Sequence, residues 1–189
     1  MAVKVTYNSP VILTFTIISF LVMIISLSVR DLTSLLALEG NFDWASTDYY
    51  RLVTYTCVHA FKDFKLQIDF THFISNFTII LLIGPVLEEK FGSKKLLLMM
   101  LFTAVVTGLL NVIFFTNGII GASGVALMMV ILGSFTNYRK GDLPLTFIFI
   151  SLLFMGNELV SSFSSQQISH FAHVMGGISG GIFGFRYAK

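Results

Sequence analysis

Six runs of about 20 predominantly apolar residues constrain this chain more than any other feature, because a helix of about that length crosses a hydrocarbon core of roughly 30 Å. They lie at about 11–29, 70–87, 96–116, 119–138, 143–162 and 168–187. Composition agrees: 55% of the 189 residues are hydrophobic and 12% charged, against about a quarter charged in a soluble domain. The runs lack the alternation of barrel strands, and in lipid every backbone polar group must be satisfied within its own segment. The fold class expected is therefore all-α, a polytopic membrane protein of six transmembrane helices. Gly92 after Lys90 reads as a helix stop with Ser93 as the next cap, and Gly141-Asp142-Leu143-Pro144 as a stop followed by a new start. The first run is longer than a signal-peptide core and no small-x-small site closes it, so it is read as a true span.

Orientation follows from the basic residues. With the N-terminus inside, the inner segments hold Lys4, Lys90, Lys94, Lys95, Arg139, Lys140, Arg186 and Lys189, eight of the 12 Lys and Arg. Arg30, Arg51, Lys62 and Lys65 lie in a long first loop of about 30–69, and the other outer loops have none. The expected topology is N-in/C-in, with one membrane domain over 1–189. The loop mixes charges with aromatics such as Phe42, Trp44, Tyr49, Phe61 and Phe64, a composition suited to the membrane interface. A net charge of +2 does not suggest a nucleic-acid partner, and the single cysteine, Cys57, rules out an internal disulfide or a multi-thiolate metal site.

Polar groups inside spans are costly, so each is a candidate for function or for helix–helix bonding. They are His72 and Asn76 on the second span, Asn111 on the third, Ser123 on the fourth, Asn157 and Glu158 on the fifth, and His170 and His173 on the sixth. Ser123 lies five residues past Gly118 and His173 five past Ile168, each about 7–8 Å along its helix at ~1.5 Å per residue. His72 enters at similar depth, with Asn76 one turn on along the same face. Small residues at Gly121 and Gly124, and at Ala172, Gly176, Gly180 and Gly184, would let the fourth and sixth helices approach closely. A hydroxyl and an imidazole on different helices need such an approach. A neutral imidazole suits removal of a serine proton near neutral pH, and the Ser123 N–H, His72 and Asn76 are plausible donors to an oxyanion. No carboxylate is expected beside the imidazoles, which points to a dyad rather than a triad.

These residues resemble the signature of the rhomboid intramembrane proteases: His-x-x-x-Asn as His72…Asn76, Gly-x-Ser-Gly as Gly121-Ala122-Ser123-Gly124, and Ala-His-x-x-Gly-x-x-x-Gly as Ala172-His173…Gly176…Gly180. The resemblance runs from about Tyr50 to the C-terminus. It implies a six-helix rhomboid-like bundle and a serine endopeptidase that cuts membrane-protein substrates in or near their transmembrane segments. In it Ser123 is nucleophile, His173 the general base, and His72, Asn76 and the Ser123 N–H the oxyanion hole, with no cofactor and no metal. Two departures stand out. Tyr50-Arg51 replaces a Trp-Arg pair, and Leu127 replaces a tyrosine that packs on the catalytic histidine in bacterial members. His59, where bacterial members often have a histidine, is expected to bond structurally, and His170 to serve the interface.

Competing readings are weaker. His72, His170 and His173 could ligate haem or a metal, but His-Glu-x-x-His is absent and such a site leaves Ser123 among its glycines unexplained. No span carries the two aspartates of an aspartyl protease, and no repeat suggests a transporter. A catalytically silent relative that binds membrane clients is the alternative. Phe147, Phe149 and Phe154 on the fifth span are expected to face lipid, with a movable gate as the other reading. The expected home is a bacterial cytoplasmic membrane; substrate identity and oligomeric state are not legible.

Overall fold

The structure, a computed structural model, describes residues 5–29, 31–59, 70–135, 142–162 and 167–187, without the side chains of 155, 157–162 and 167–169. Lys4, Arg30, Lys62, Lys65, Arg139, Lys140 and Lys189 of the charge argument, loop residues Phe61 and Phe64, the stop at Gly141, and the Asn157 and Glu158 side chains lie outside the described residues. The helices are α1 (Pro10–Ser28), α2 (Asp31–Leu36), α3 (Arg51–Thr54), α4 (Phe70–Phe91), α5 (Ser93–Phe114), α6 (Ser123–Gly133), α7 (Leu145–Ser162) and α8 (Gln167–Tyr187). Short 3-10 turns, Asp48–Tyr50 and Tyr55–Cys57, flank α3. Among the described residues the fold is all-α, apart from an isolated antiparallel bridge between Leu38 and Ile119. Helices α1, α4 and α5 are each long and apolar enough to cross a membrane.

Side-chain meetings along the helices give their relative directions. Gly121 lies against His72 near the start of α4, and Gly133 against Ile83 farther along it. Gly124 faces Ala172, Gly180 faces Met128 and Gly184 faces Phe135. Helices α4, α6 and α8 therefore run parallel. Phe20 meets Phe73 and Phe15 meets Phe77, so α1 runs against α4. Phe102 meets Phe183 near the end of α8, and Phe115, just past α5, meets Phe171 near its start, so α5 is antiparallel to α8. Phe147 against Phe185 and Phe154 against His173 give α7 the same antiparallel sense. At the centre, Met128, Met129 and Leu132 of α6 are fully buried with Ile80 of α4 and Leu96 of α5.

One buried carboxylate locks the end of the bundle remote from His72. Glu88, 5% exposed, accepts the backbone N–H of Val11 at 3.0 Å and of Ile12 at 3.1 Å. The Ser93 hydroxyl donates to it at 2.7 Å. These amides belong to the first turn of α1, where N–H groups have no intrahelical acceptor and the helix dipole favours an anion. The cap of α5 is Gly92, at φ +81°, rather than Ser93. Ser93 binds Glu88 instead, so the signal expected to start one helix ties three together.

The largest departure from expectation is the fourth span. Residues 119–122 are not helical, and α6 begins at Ser123 with Ala122 as its N-cap. The apolar run hides this because Ile119 and Ile120 read equally well as helix. Pairing with Leu38 holds Ile119 extended, through N–H···O bonds of 3.3 and 2.9 Å, and Gly121 turns the chain at φ +100°. A positive φ of this kind is cheap only for glycine. The chain thus reaches Ser123 through a non-helical segment and not along a helix.

Candidate functional site

Ser123 is the first residue of α6 and half-buried. That position leaves its backbone N–H without an intrahelical acceptor, and the helix dipole makes the place favourable for negative charge. The turn before it is fastened from three sides. The Gly121 N–H donates to the Tyr55 carbonyl at 2.9 Å. The Ala122 N–H donates to His59 Nε2 at 3.3 Å. A Cβ on Gly121 would stand 2.6 Å from His72 Nε2, so the imidazole presses directly on the turn. Tyr55 is itself held by its hydroxyl, which donates to the Ala104 carbonyl at 3.1 Å.

His59 is the hub. It is 1% exposed, and its Nε2 also lies 3.3 Å from Asn76 Nδ2. Both neighbours of Nε2 are donors, so Nε2 accepts and the ring proton sits on Nδ1. There it donates to the Cys57 carbonyl at 3.3 Å. Burial, reinforced by the nearby His72, pushes His59 from 6.5 down to about 4, which keeps the ring neutral and the tautomer fixed. Asn76, 7% exposed, carries a second amide hydrogen on the same nitrogen. His59 and His72 face each other with ring centroids 5.4 Å apart, and Phe73 and Phe77 wall His59 edge-on. The bonding role expected for His59 is the one the structure gives it, with partners the sequence could not name.

Gly124, Gly176 and Gly180 lie where α6 meets α8, as their spacing suggests, whereas Gly121, expected beside them, sits in the turn before α6 and meets His72 of α4. A Cβ on Gly124 would come to 3.0 Å from the Ala172 carbonyl, and one on Gly180 to 2.5 Å from the Met128 carbonyl. A Cβ on Gly176 would overlap the Gly124 carbonyl. Helices α6 and α8 thus touch backbone to backbone, and the contact falls between the residue after Ser123 and the residue before His173. His173 is half-buried there, with the Phe154 ring 6.0 Å away. His170 is half-buried a turn earlier on α8. Asn111 stands apart from this cluster: fully buried, it donates to the Asn117 carbonyl at 2.9 Å and braces the loop after α5.

Leu127 is buried on α6 beside Gly177. Of the three α7 phenylalanines, only Phe149 is widely exposed; Phe147 and Phe154 pack inward against Leu127, Ile131 and Phe135. The expectation that all three face lipid is corrected accordingly: Phe147, Ile150 and Phe154 fall at helical spacing on the face of α7 turned to α6, while Phe149, Leu152 and Leu153 lie on the exposed face. The sequence marks Tyr55 only as a loop aromatic and Phe154 only as a phenylalanine of the fifth span, and it does not mark Glu88. Tyr55 acts through its carbonyl, which leaves no trace in residue type, whereas Glu88 could have been suspected as a carboxylate one residue past an apolar run. Among the described residues no three His, Cys, Asp or Glu are grouped to hold a metal ion.

Fold and site together define a helical integral membrane protein in which a glycine-turned loop presents a serine at a helix N-terminus, beside two imidazoles and an amide. A family model described as Rhomboid domain matches residues 46–189. The rhomboid protease GlpG of Haemophilus influenzae is 25% identical over 151 residues, which cover 78% of this chain and 74% of that protein. The chain belongs to the rhomboid family.

Proposed function

We propose that this protein is an intramembrane serine endopeptidase that cuts other membrane proteins in or near their transmembrane segments, with Ser123 as nucleophile and His173 as base. The observation that carries the reading is the backbone contact of α6 and α8 at Gly124 and Ala172, which holds the serine turn and the histidine helix together. In the proposed reaction Ser123 Oγ attacks the scissile carbonyl while His173 takes its proton. The oxyanion is met by the Ser123 N–H, His72 and the Asn76 amide, with His59 fixing Asn76 and the Ala122 N–H beside them before charge develops. Collapse breaks the C–N bond, and His173 returns the proton to the leaving amine. Water, deprotonated by His173, then attacks the acyl carbon; the Ser123 Oγ–C bond breaks as His173 returns the proton to Ser123 Oγ, releasing the acid.

The reading includes six spans with both termini inside, a single domain over 1–189, and a bacterial cytoplasmic membrane as location. Basic-residue placement supports the orientation, and the named relative is bacterial. Substrate is proposed to approach laterally, past α7. A substrate helix must unwind locally, since its scissile carbonyls are otherwise engaged in its own hydrogen bonds.

The test is cleavage of a model single-span substrate in detergent micelles, with fluorophosphonate labelling of the serine beside it. The parent is expected to cut and to label. Ser123→Ala and His173→Ala are each expected to lose at least about 10³-fold in rate, while His170→Ala keeps activity. Folded parent that neither cuts nor labels would replace this reading with that of a client-binding protein.

A further inference from the structure

An imidazole acting as base has to be held within about 10–20° of its working orientation, and α8 offers His173 little wall. The residues that follow one turn later are Gly176 and Gly177. Across from them on α6 stands Leu127, whose Cδ2 would lie 3.8 Å from a Cβ on Gly177. A leucine supplies dispersion contact but no ring face or edge to orient an imidazole. The ring comes from a third helix. Phe154 of α7 lies with its centroid 6.0 Å from that of His173 and its plane inclined 70°, an edge-to-face arrangement. The same side chain packs against the cluster of Leu127, Ile131 and Phe135, so its own rotamer is held from the α6 side.

We propose that Phe154 is the positioning residue for His173, supplying from α7 the aromatic wall that Leu127 does not supply from α6. The proposal rests on His173 being the base. Its consequence is that the base is oriented by a helix other than the two that carry the dyad. A displacement of α7 then alters the reactivity of Ser123 as well as access to it.

The experiment uses the full chain in micelles and reads kcat and KM on the single-span substrate, the fluorophosphonate labelling rate, and the unfolding temperature. Phe154→Leu is expected to lower kcat and labelling by about 3- to 10-fold, the size of one lost ring–ring contact, with KM within about two-fold. Phe154→Tyr, which keeps the ring, is expected to restore both rates. Phe147→Leu removes a ring from the same helix and cluster, where Phe147 touches Phe135 and Phe185 instead of His173. It is expected to lower the unfolding temperature as much as Phe154→Leu does while leaving kcat unchanged. If Phe154→Leu does not fold, Phe154→Met, close in volume and flexible, carries the same comparison. Parental labelling in the Leu or Met variant overturns the proposal, and so does a Tyr variant as slow as they are. Failure of the dyad is read separately: His173→Ala with parental turnover removes the base, and the proposal with it.

Discussion

At the scale of single residues, His59 joins three segments through one ring: the Cys57 carbonyl on Nδ1, and the Ala122 N–H and Asn76 amide on Nε2. Only the neutral ring can do this, because protonation would turn Nε2 from an acceptor into a donor facing two donors. The folded protein therefore resists protonating His59 down to about pH 4, whereas the unfolded chain takes up the proton near 6.5. Above 6.5 both states are neutral and the contribution is complete. Between 6.5 and 4 the unfolded state alone binds the proton, so stability falls with pH, by about 3 kcal/mol across the window. Replacing the residue as His59→Gln should destabilise at pH 7 by about 1–3 kcal/mol and make the remaining decline shallower by roughly one proton. Denaturation in micelles at pH 7 and 4.5 checks this; equal slopes for parent and variant would remove His59 from the account. That His59 bonds structurally was implied by its resemblance to a histidine often found in the first loop of bacterial rhomboids. Its tautomer and its neutrality were not, since both depend on partners 17 and 63 residues away.

At the scale of elements, α6 and α8 depend on glycine far more than their apolar character implies. Alanine at Gly176 would drive a methyl into the Gly124 carbonyl, where backbone meets backbone and nothing flexible can yield. Alanine at Gly177, the next residue of the same helix, would meet only Leu127 Cδ2 at an ordinary 3.8 Å. Both gain the same helix propensity, up to about 1 kcal/mol, so comparing them isolates packing. Gly177→Ala should be neutral or slightly stabilising. Gly176→Ala should cost about 3 kcal/mol or more and abolish serine labelling, because separating the helices parts Ser123 from His173. Thermal unfolding and labelling of the two variants side by side decide it, and equal behaviour would mean that the helices are not in backbone contact. The four-residue spacing of Ala172, Gly176, Gly180 and Gly184 announced a groove. Which glycine faces the neighbouring backbone and which faces a side chain is a matter of helix rotation, which small residues alone do not encode.

At the scale of the whole molecule, the distribution of Lys and Arg makes a further prediction. With Cys57 replaced by serine, cysteine introduced at Asn117 should react with a membrane-impermeant thiol reagent from outside intact cells. Cysteine introduced at Lys94 should react only after permeabilisation; the reverse pattern would overturn the N-in/C-in topology. What the sequence determined by itself is whatever depends on residue type summed over a segment: the all-helical class, the apolar helices to within a turn at most ends, and the set of residues worth examining. Those properties survive because lipid leaves the backbone no alternative to internal hydrogen bonding. Only the tertiary structure decided where the fourth helix begins. Ile119 and Ile120 are as apolar as any helical residue, and it is pairing with Leu38 and the positive φ of Gly121 that hold the segment out of the helix. The tertiary structure alone also set the Tyr55 carbonyl and the His59 ring on the serine turn, Glu88 on the first turn of α1, and Phe154 beside His173. Each of these is a contact between distant parts of the chain, fixed by direction and distance, and residue type carries neither.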